Sequence, residues 1–187
     1  MNNVRNIVAD DLDGIIEGIS PDFATGVSLH DYHITSRLGN HLLKLDIVSS
    51  PGGGEEGGYE STSISSSVVS GTDFNFVLYP EDFLISISKL FGLKDIVLGY
   101  PEFDSNVVVK TNNAARLKAV LAGEGARKIL QNMSGFALKL ESNEEGHVLH
   151  LSIQRALTDI KELNQVLAMF YEVLTQVEKG TQAAASM

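Results

Sequence analysis

The sequence predicts an α+β fold, and three observations carry that prediction. Two stretches, DYHITSRLGNHLLKLDIV and FALKLESNEEGHVLHLSI, alternate apolar and polar residues on either side of a short turn, which is the period of an antiparallel hairpin. The last long segment instead repeats Ile160, Leu163, Leu167, Phe170, Leu174 and Val177 at the spacing of one helical face. Between them, strand-like runs such as FNFVLYP and NVVVKT are interleaved with helical stretches. The expected architecture is a mostly antiparallel sheet of about six to seven strands, with helices packed largely on one face.

Composition sets the bounds. A chain of 187 residues with 43% apolar content is long enough for one compact domain with a real core, expected over residues 1–179, with a flexible tail over 180–187. Without cysteine there are no disulfides, zinc-thiolate sites or thiol nucleophiles, which suits a reducing compartment. The formal charge of −10 repels a phosphate backbone, so nucleic acid is not an expected partner. No apolar run approaches the roughly 20 residues that span a bilayer, and the N-terminus lacks the basic-then-apolar pattern of a signal peptide. The expectation is a cytoplasmic protein without a transmembrane segment.

Taken in order, Val4, Ile7, Val8, Leu12, Ile15, Ile16 and Ile19 recur at helical spacing. They predict a first helix, capped by Asn2 or Asn3 and stopped at Ser20-Pro21, with Asp10, Asp13 and Glu17 on its wet side. Next comes a hairpin through Gly39-Asn40, which brings Ile34 opposite Leu45 and Tyr32 opposite Ile47. The Gly- and acid-rich SSPGGGEEGGYES, lacking the lysine of a phosphate-binding loop, reads as a mobile connection. STSISSSVV and FNFVLYP then read as strands, and EDFLISISKLFG as a short core-packed helix. A strand over 106–111 leads to Asn112 or Asn113, either of which can cap a helix that GEG at 123–125 interrupts. The second hairpin follows, and then the final helix, capped at Thr158 or Asp159 and ended by Gly180.

Few residues point to chemistry. DDLDGI resembles, through Asp11, Asp13 and Gly14, the D-x-D-G-T loop of the haloacid-dehalogenase-like phosphatases. There the first Asp attacks phosphorus, the second handles protons, and Mg²⁺ offsets the charge. The sequence departs from that loop where Ile15 replaces Thr and where Arg5, Asn6 and Asp10 interrupt the strand that should deliver it. His30/His33 and His147/His150 are three apart, but on strands such residues face opposite ways, so no metal is expected. His33 faces Asp46 across the first hairpin as an expected structural pair. Arg127 and Lys128, near the start of the second helical piece, are a candidate anion site opposed by Glu124.

The segment ISKLFGLKDIVLGYPEFDSNVVVKTNN is similar to a pattern in an uncharacterised bacterial α+β family. In that pattern a short helix and a Gly precede an x-F-D, a strand, a polar turn and a leucine-bearing helix. The matching positions are Gly99, Phe103, Asp104, Val107 to Val109 and Asn112, within a likeness from about Phe74 to the last helix. In that family the segment often accompanies transmembrane helices, and no activity comes with it. From the residues themselves, Gly99 and Pro101 shape the loop, while Phe103 and Asp104 either anchor it or bind a ligand.

The functional expectation is a protein-interaction or binding module rather than an enzyme, without a cofactor, acting on an unknown protein partner or as a homodimer. Two alternatives stand beside it. One is a degenerate Mg²⁺-dependent phosphohydrolase using Asp11 and Asp13. The other is a carrier of a small apolar ligand enclosed by Phe74, Phe76, Phe170 and Leu174.

Overall fold

The computed structural model describes residues 3–24, 31–53, 56–68, 73–81, 93–143 and 146–185. In chain order the elements are β1 (Asn3–Ala9), α1 (Leu12–Ala24), β2 (Asp31–Leu38), β3 (His41–Gly53), β4 (Glu56–Val68) and β5 (Phe76–Pro80). There follow β6 (Lys94–Asp95), α2 (Pro101–Asp104), β7 (Val107–Thr111), α3 (Ala114–Val120), α4 (Glu124–Gln131), β8 (Phe136–Asn143), β9 (Gly146–Ile153) and α5 (Ile160–Ala185). The strands form one sheet of nine, ordered β1-β2-β3-β4-β9-β8-β5-β7-β6, in which β1 runs parallel to β2 and every other pair is antiparallel.

The first hairpin has the expected register, with Ile34 opposite Leu45 and Tyr32 opposite Ile47. Alternation along the sheet sends one set of side chains inward. Tyr32, Leu45, Ile64, Leu151, Leu138 and Leu78 are all buried, and they share a single core with residues from all five helices. Among these are Ile19 of α1, Phe103 of α2, Leu117 of α3, Leu130 of α4 and Phe170 of α5. The helices α1, α3 and α4 each pack against α5, which itself rests on β4. Thr62, fully buried, ties β4 to the β9–α5 connection: its hydroxyl donates to the Arg155 carbonyl at 2.9 Å and accepts from the Leu157 N–H at 2.9 Å. α5 begins at the Asp159 cap, whose carboxylate accepts from the N–H groups of Lys161 and Glu162.

Five expectations are corrected. Among the described residues the sheet has nine strands rather than six or seven, because the residues expected to open the first helix form β1 and the two-residue β6 carries no pattern of its own. The β-branched Val4, Ile7 and Val8 form a strand. The true helical stripe starts later, at Leu12, Ile15, Ile16 and Ile19, and α1 continues through Pro21 to Ala24. The Gly-rich connection is largely strand, since β3 reaches Gly53 and β4 starts at Glu56, with Gly52 opposite Gly57. α5 likewise runs past Gly180 to Ala185. The helix expected over EDFLISISKLFG lies almost wholly outside the described residues.

Candidate functional site

The β1–α1 junction shows what the D-L-D-G stretch does. Asp11 is exposed, and its carboxylate accepts the Gly14 N–H at 2.9 Å, the bond by which a residue caps a helix start. Gly14 and Gly18, one turn apart, face β1: a Cβ on Gly14 would stand 3.1 Å from the Ala9 Cβ, and one on Gly18 would stand 3.3 Å from Ile7 Cδ1. The glycine of the motif therefore lets helix and strand approach each other. Arg5 secures the same contact, donating to the Gly18 carbonyl at 3.1 Å and pairing with the buried Asp22 at 2.9 Å. Asp10, Asp11 and Asp13 open onto a hollow of about 310 Å³ that is completed by Leu12, Leu38 and Tyr171. All three carboxylates are exposed, Asp10 and Asp11 in the turn that follows the edge strand β1 and Asp13 in the first turn of α1.

The Gly99–Asn106 segment is organised around Asp104. Its carboxylate accepts three successive backbone N–H groups, from Leu98 at 3.0 Å, Gly99 at 2.8 Å and Tyr100 at 2.7 Å. Gly99 has φ +88°, where a side chain would be strained, and Pro101 opens the single turn of α2. Phe103 is 1% exposed and belongs to the core, and it also borders the hollow beside this loop. The nearby hollow, about 370 Å³ and lined by Tyr100, Glu102, Arg127 and Lys128 among others, was the candidate anion site. Its cations are engaged. The Arg127 guanidinium lies 3.6 Å over the Tyr100 ring and donates to the carbonyls of Leu121, Ala122 and Gly123 at the end of α3. Lys128 pairs with Glu124 at 2.8 Å.

The face of the sheet turned away from the core is mostly polar along β2, β3, β4 and β9, while Ala137 of β8 and Val77 of β5 on the same side are buried. On it, His33 lies between two carboxylates, its Nδ1 2.5 Å from Asp46 and its Nε2 2.7 Å from Asp31. A ring placed between two carboxylates can donate from both nitrogens only as the imidazolium, so this geometry favours the charged form. The Asp46 bond, followed by the Asp31 bond and both charges, raises its pKa against a smaller opposing effect of burial. His150 behaves in the opposite way: burial first, then the charge of Lys139, holds it below the ordinary histidine value. The expected His33–Asp46 pair is thus present, whereas His30 lies outside the described residues. Among the described residues no cluster of three or more His, Cys, Asp or Glu could hold a metal ion. Phe74, Phe76, Phe170 and Leu174, named for a carrier cavity, are each at most 1% exposed within the common core.

What the sequence reading missed is the line-up across this face. Paired residues stand side by side on one side of a sheet. The pairings Thr35–Lys44, Lys44–Ser65, Ser65–His150, His150–Lys139, Lys139–Val77 and Val77–Lys110 form one transverse row over seven strands. The only signal in the sequence was the polar half of each alternation; which strand adjoins which could not be read from it.

No family model matches the chain, and no curated protein matches it. Among solved structures the chain is similar to the crystal structure of the mycobacterial trehalose monomycolate transport factor A, TtfA. The likeness covers 78% of this chain and 70% of that one, with a TM-score of 0.51 and 7% identity. It is a likeness of fold alone. No described helix is long and apolar enough to cross a membrane.

Proposed function

We propose that this chain is a non-catalytic protein-interaction module, cytoplasmic as its lack of cysteine suits, and that the polar face of its sheet is the docking surface. The observation that carries the reading is the asymmetry of the sheet. Residues of all five helices enter the core on one side, while the opposite side carries Thr35, Lys44, Ser63, Ser65 and His150, half-buried or exposed. A broad flat surface of hydroxyls and charges suits a protein partner better than a small substrate, which needs a concave site. The fold likeness to a protein described as a transport factor accords with a role without catalysis and adds nothing about a ligand. The test is a photo-crosslinking residue at Ser63, on the polar face, compared with one at Lys161, exposed on α5. A discrete adduct in cells from position 63 alone supports the reading; equal labelling from both positions, or none, overturns it.

A homodimer is the simplest use of the other free feature, the β1 edge. Among the described residues β1 pairs only with β2, and Val8 is 84% exposed beside that edge. In the dimer reading, light scattering gives twice the monomer mass and Val8→Lys returns it to one.

A second reading keeps Asp11 and Asp13 as a degenerate phosphohydrolase pair, favoured by the strand-then-loop form of Asn3–Asp11. Mg²⁺-dependent cleavage of a phosphate ester, lost in Asp11→Asn, would establish it. The engagement of Asp11 as a helix cap and the packing role of Gly14 favour the interaction module.

A further inference from the structure

We propose that the partner docked on the polar sheet face is an acidic protein segment, whose carboxylates lie along the row Lys44, Ser65, His150 and Lys139. This rests on the interaction-module reading and names the chemistry of the partner.

The row is continuous by register, and each member is flanked by residues that point into the core: Leu43 and Leu45 on β3, Ile64 and Ser66 on β4, Leu149 and Leu151 on β9, Leu138 and Leu140 on β8. Its four side chains therefore project to the other side together. Adjacent strands are about 4.8 Å apart, so the Cα atoms of Lys44 and Lys139 stand about 14 Å from each other. Two flexible lysine stems reach inward over that gap, so both ammonium groups can meet an anion held above Ser65 and His150.

The charges are available. In a chain of net charge −10, Lys110 is paired with Asp95, Arg5 with Asp22 and Arg155 with Glu162. Among the described residues Lys44 and Lys139 have no ion-pair partner, and the Ser65 hydroxyl makes no hydrogen bond. The carboxylates that share the face are few. Asp31 and Asp46 are engaged by His33, and Glu141 stands two residues beyond Lys139 on β8. The pKa of His150 is lowered first by burial and then by the charge of Lys139, which places that ammonium beside the ring, while Glu141 and Asp46 oppose. A flat sheet offers a lone small anion few contacts, whereas a segment bearing several carboxylates engages both lysines and the serine line of β4 at once.

The experiment follows the His150 ring by NMR as pH is varied, with and without an oligoglutamate peptide at low ionic strength. Binding of a polyanion to so acidic a protein requires a local cationic surface, which makes the probe stringent. The expected result is a higher His150 midpoint with peptide and an affinity at least about tenfold weaker in Lys44→Gln/Lys139→Gln. The control Lys161→Gln on α5 should retain binding, and melting curves confirm that both variants are folded. Three results overturn the proposal: no binding at low salt, equal loss in the control, or inorganic phosphate moving His150 as far as the peptide does. The last would leave a small-anion site. Cross-linking from Ser63 without any response to oligoglutamate would leave the interaction module standing and remove only the acidic partner.

Discussion

Tyr32 and His33 are neighbours on β2, each hydrogen-bonded to an aspartate at 2.5 Å, yet they face opposite sides of the sheet and do different things. The Tyr32 hydroxyl is fully buried and donates to Asp22, which Arg5 also holds. Burial, then that bond and the Asp22 charge, pushes its pKa well up and keeps the phenol neutral. This trio joins α1, β1 and β2 across the core, and its work is structural. His33 is about 30% exposed, and its ring charges because water and two carboxylates permit it. The same strand thus supplies a lock on one face and a titratable, solvated surface on the other. Side-chain chemistry is alike in kind on both faces; desolvation separates their roles.

The contrast predicts a descending series of effects. Truncation on the covered face should be the most damaging: Phe170→Ala, at 0% exposure, is expected to cost about 3–5 kcal/mol in chemical denaturation. A loss below about 1 kcal/mol would mean that the core is not the continuous body described. Tyr32→Phe keeps the ring and removes the donor to Asp22, for an expected loss of about 1.5–3 kcal/mol by the same measurement.

The polar face should register through pH. The His33 pKa is raised, so the folded state holds its proton more tightly than the unfolded chain; its contribution is complete below the ordinary value of 6.5 and is lost as pH rises through the folded value. The His150 pKa is lowered, so its neutral form is favoured on folding, and stability falls as pH drops through 6.5 toward the folded value. Together they place a stability maximum near the ordinary histidine pKa. His33→Asn should flatten the alkaline limb and His150→Asn the acid limb of a pH series of denaturation midpoints; unchanged limbs would contradict the assigned directions. The smallest effect belongs to Ser65→Ala, within about 0.5 kcal/mol, because that hydroxyl bonds to nothing among the described residues.

The places where reading the chain failed share a cause. Val4, Ile7 and Val8 fit a helical stripe when joined to Leu12 and Ile15, but the stripe spans two elements, and only the parallel pairing of β1 with β2 separates them. The run from Ser49 to Gly57 is poor in side-chain signal, so its strand character comes from the long β3–β4 ladder that continues through it. Gly14 resembles part of a phosphate loop because nothing local reveals that Ala9's neighbour in space is a helix; the 3.1 Å approach to the Ala9 Cβ belongs to the packed structure alone.

By itself the sequence determined whatever depends on neighbours a few residues away. The Gly39-Asn40 turn set the register of the first hairpin, alternation chose which face of each strand is apolar, Asn113 capped α3, and Asp104 was available to collect the N–H groups of its own loop. Tertiary structure alone decided what depends on strand order. It put β1 at an edge, placed β9 between β4 and β8, and so drew Lys44, Ser65, His150 and Lys139 from four separate segments into one row. Hydrogen-bond ladders accept many partners with nearly equal local energy, and the choice among them comes from burying one common core. A surface assembled across strands is therefore invisible until that core has formed.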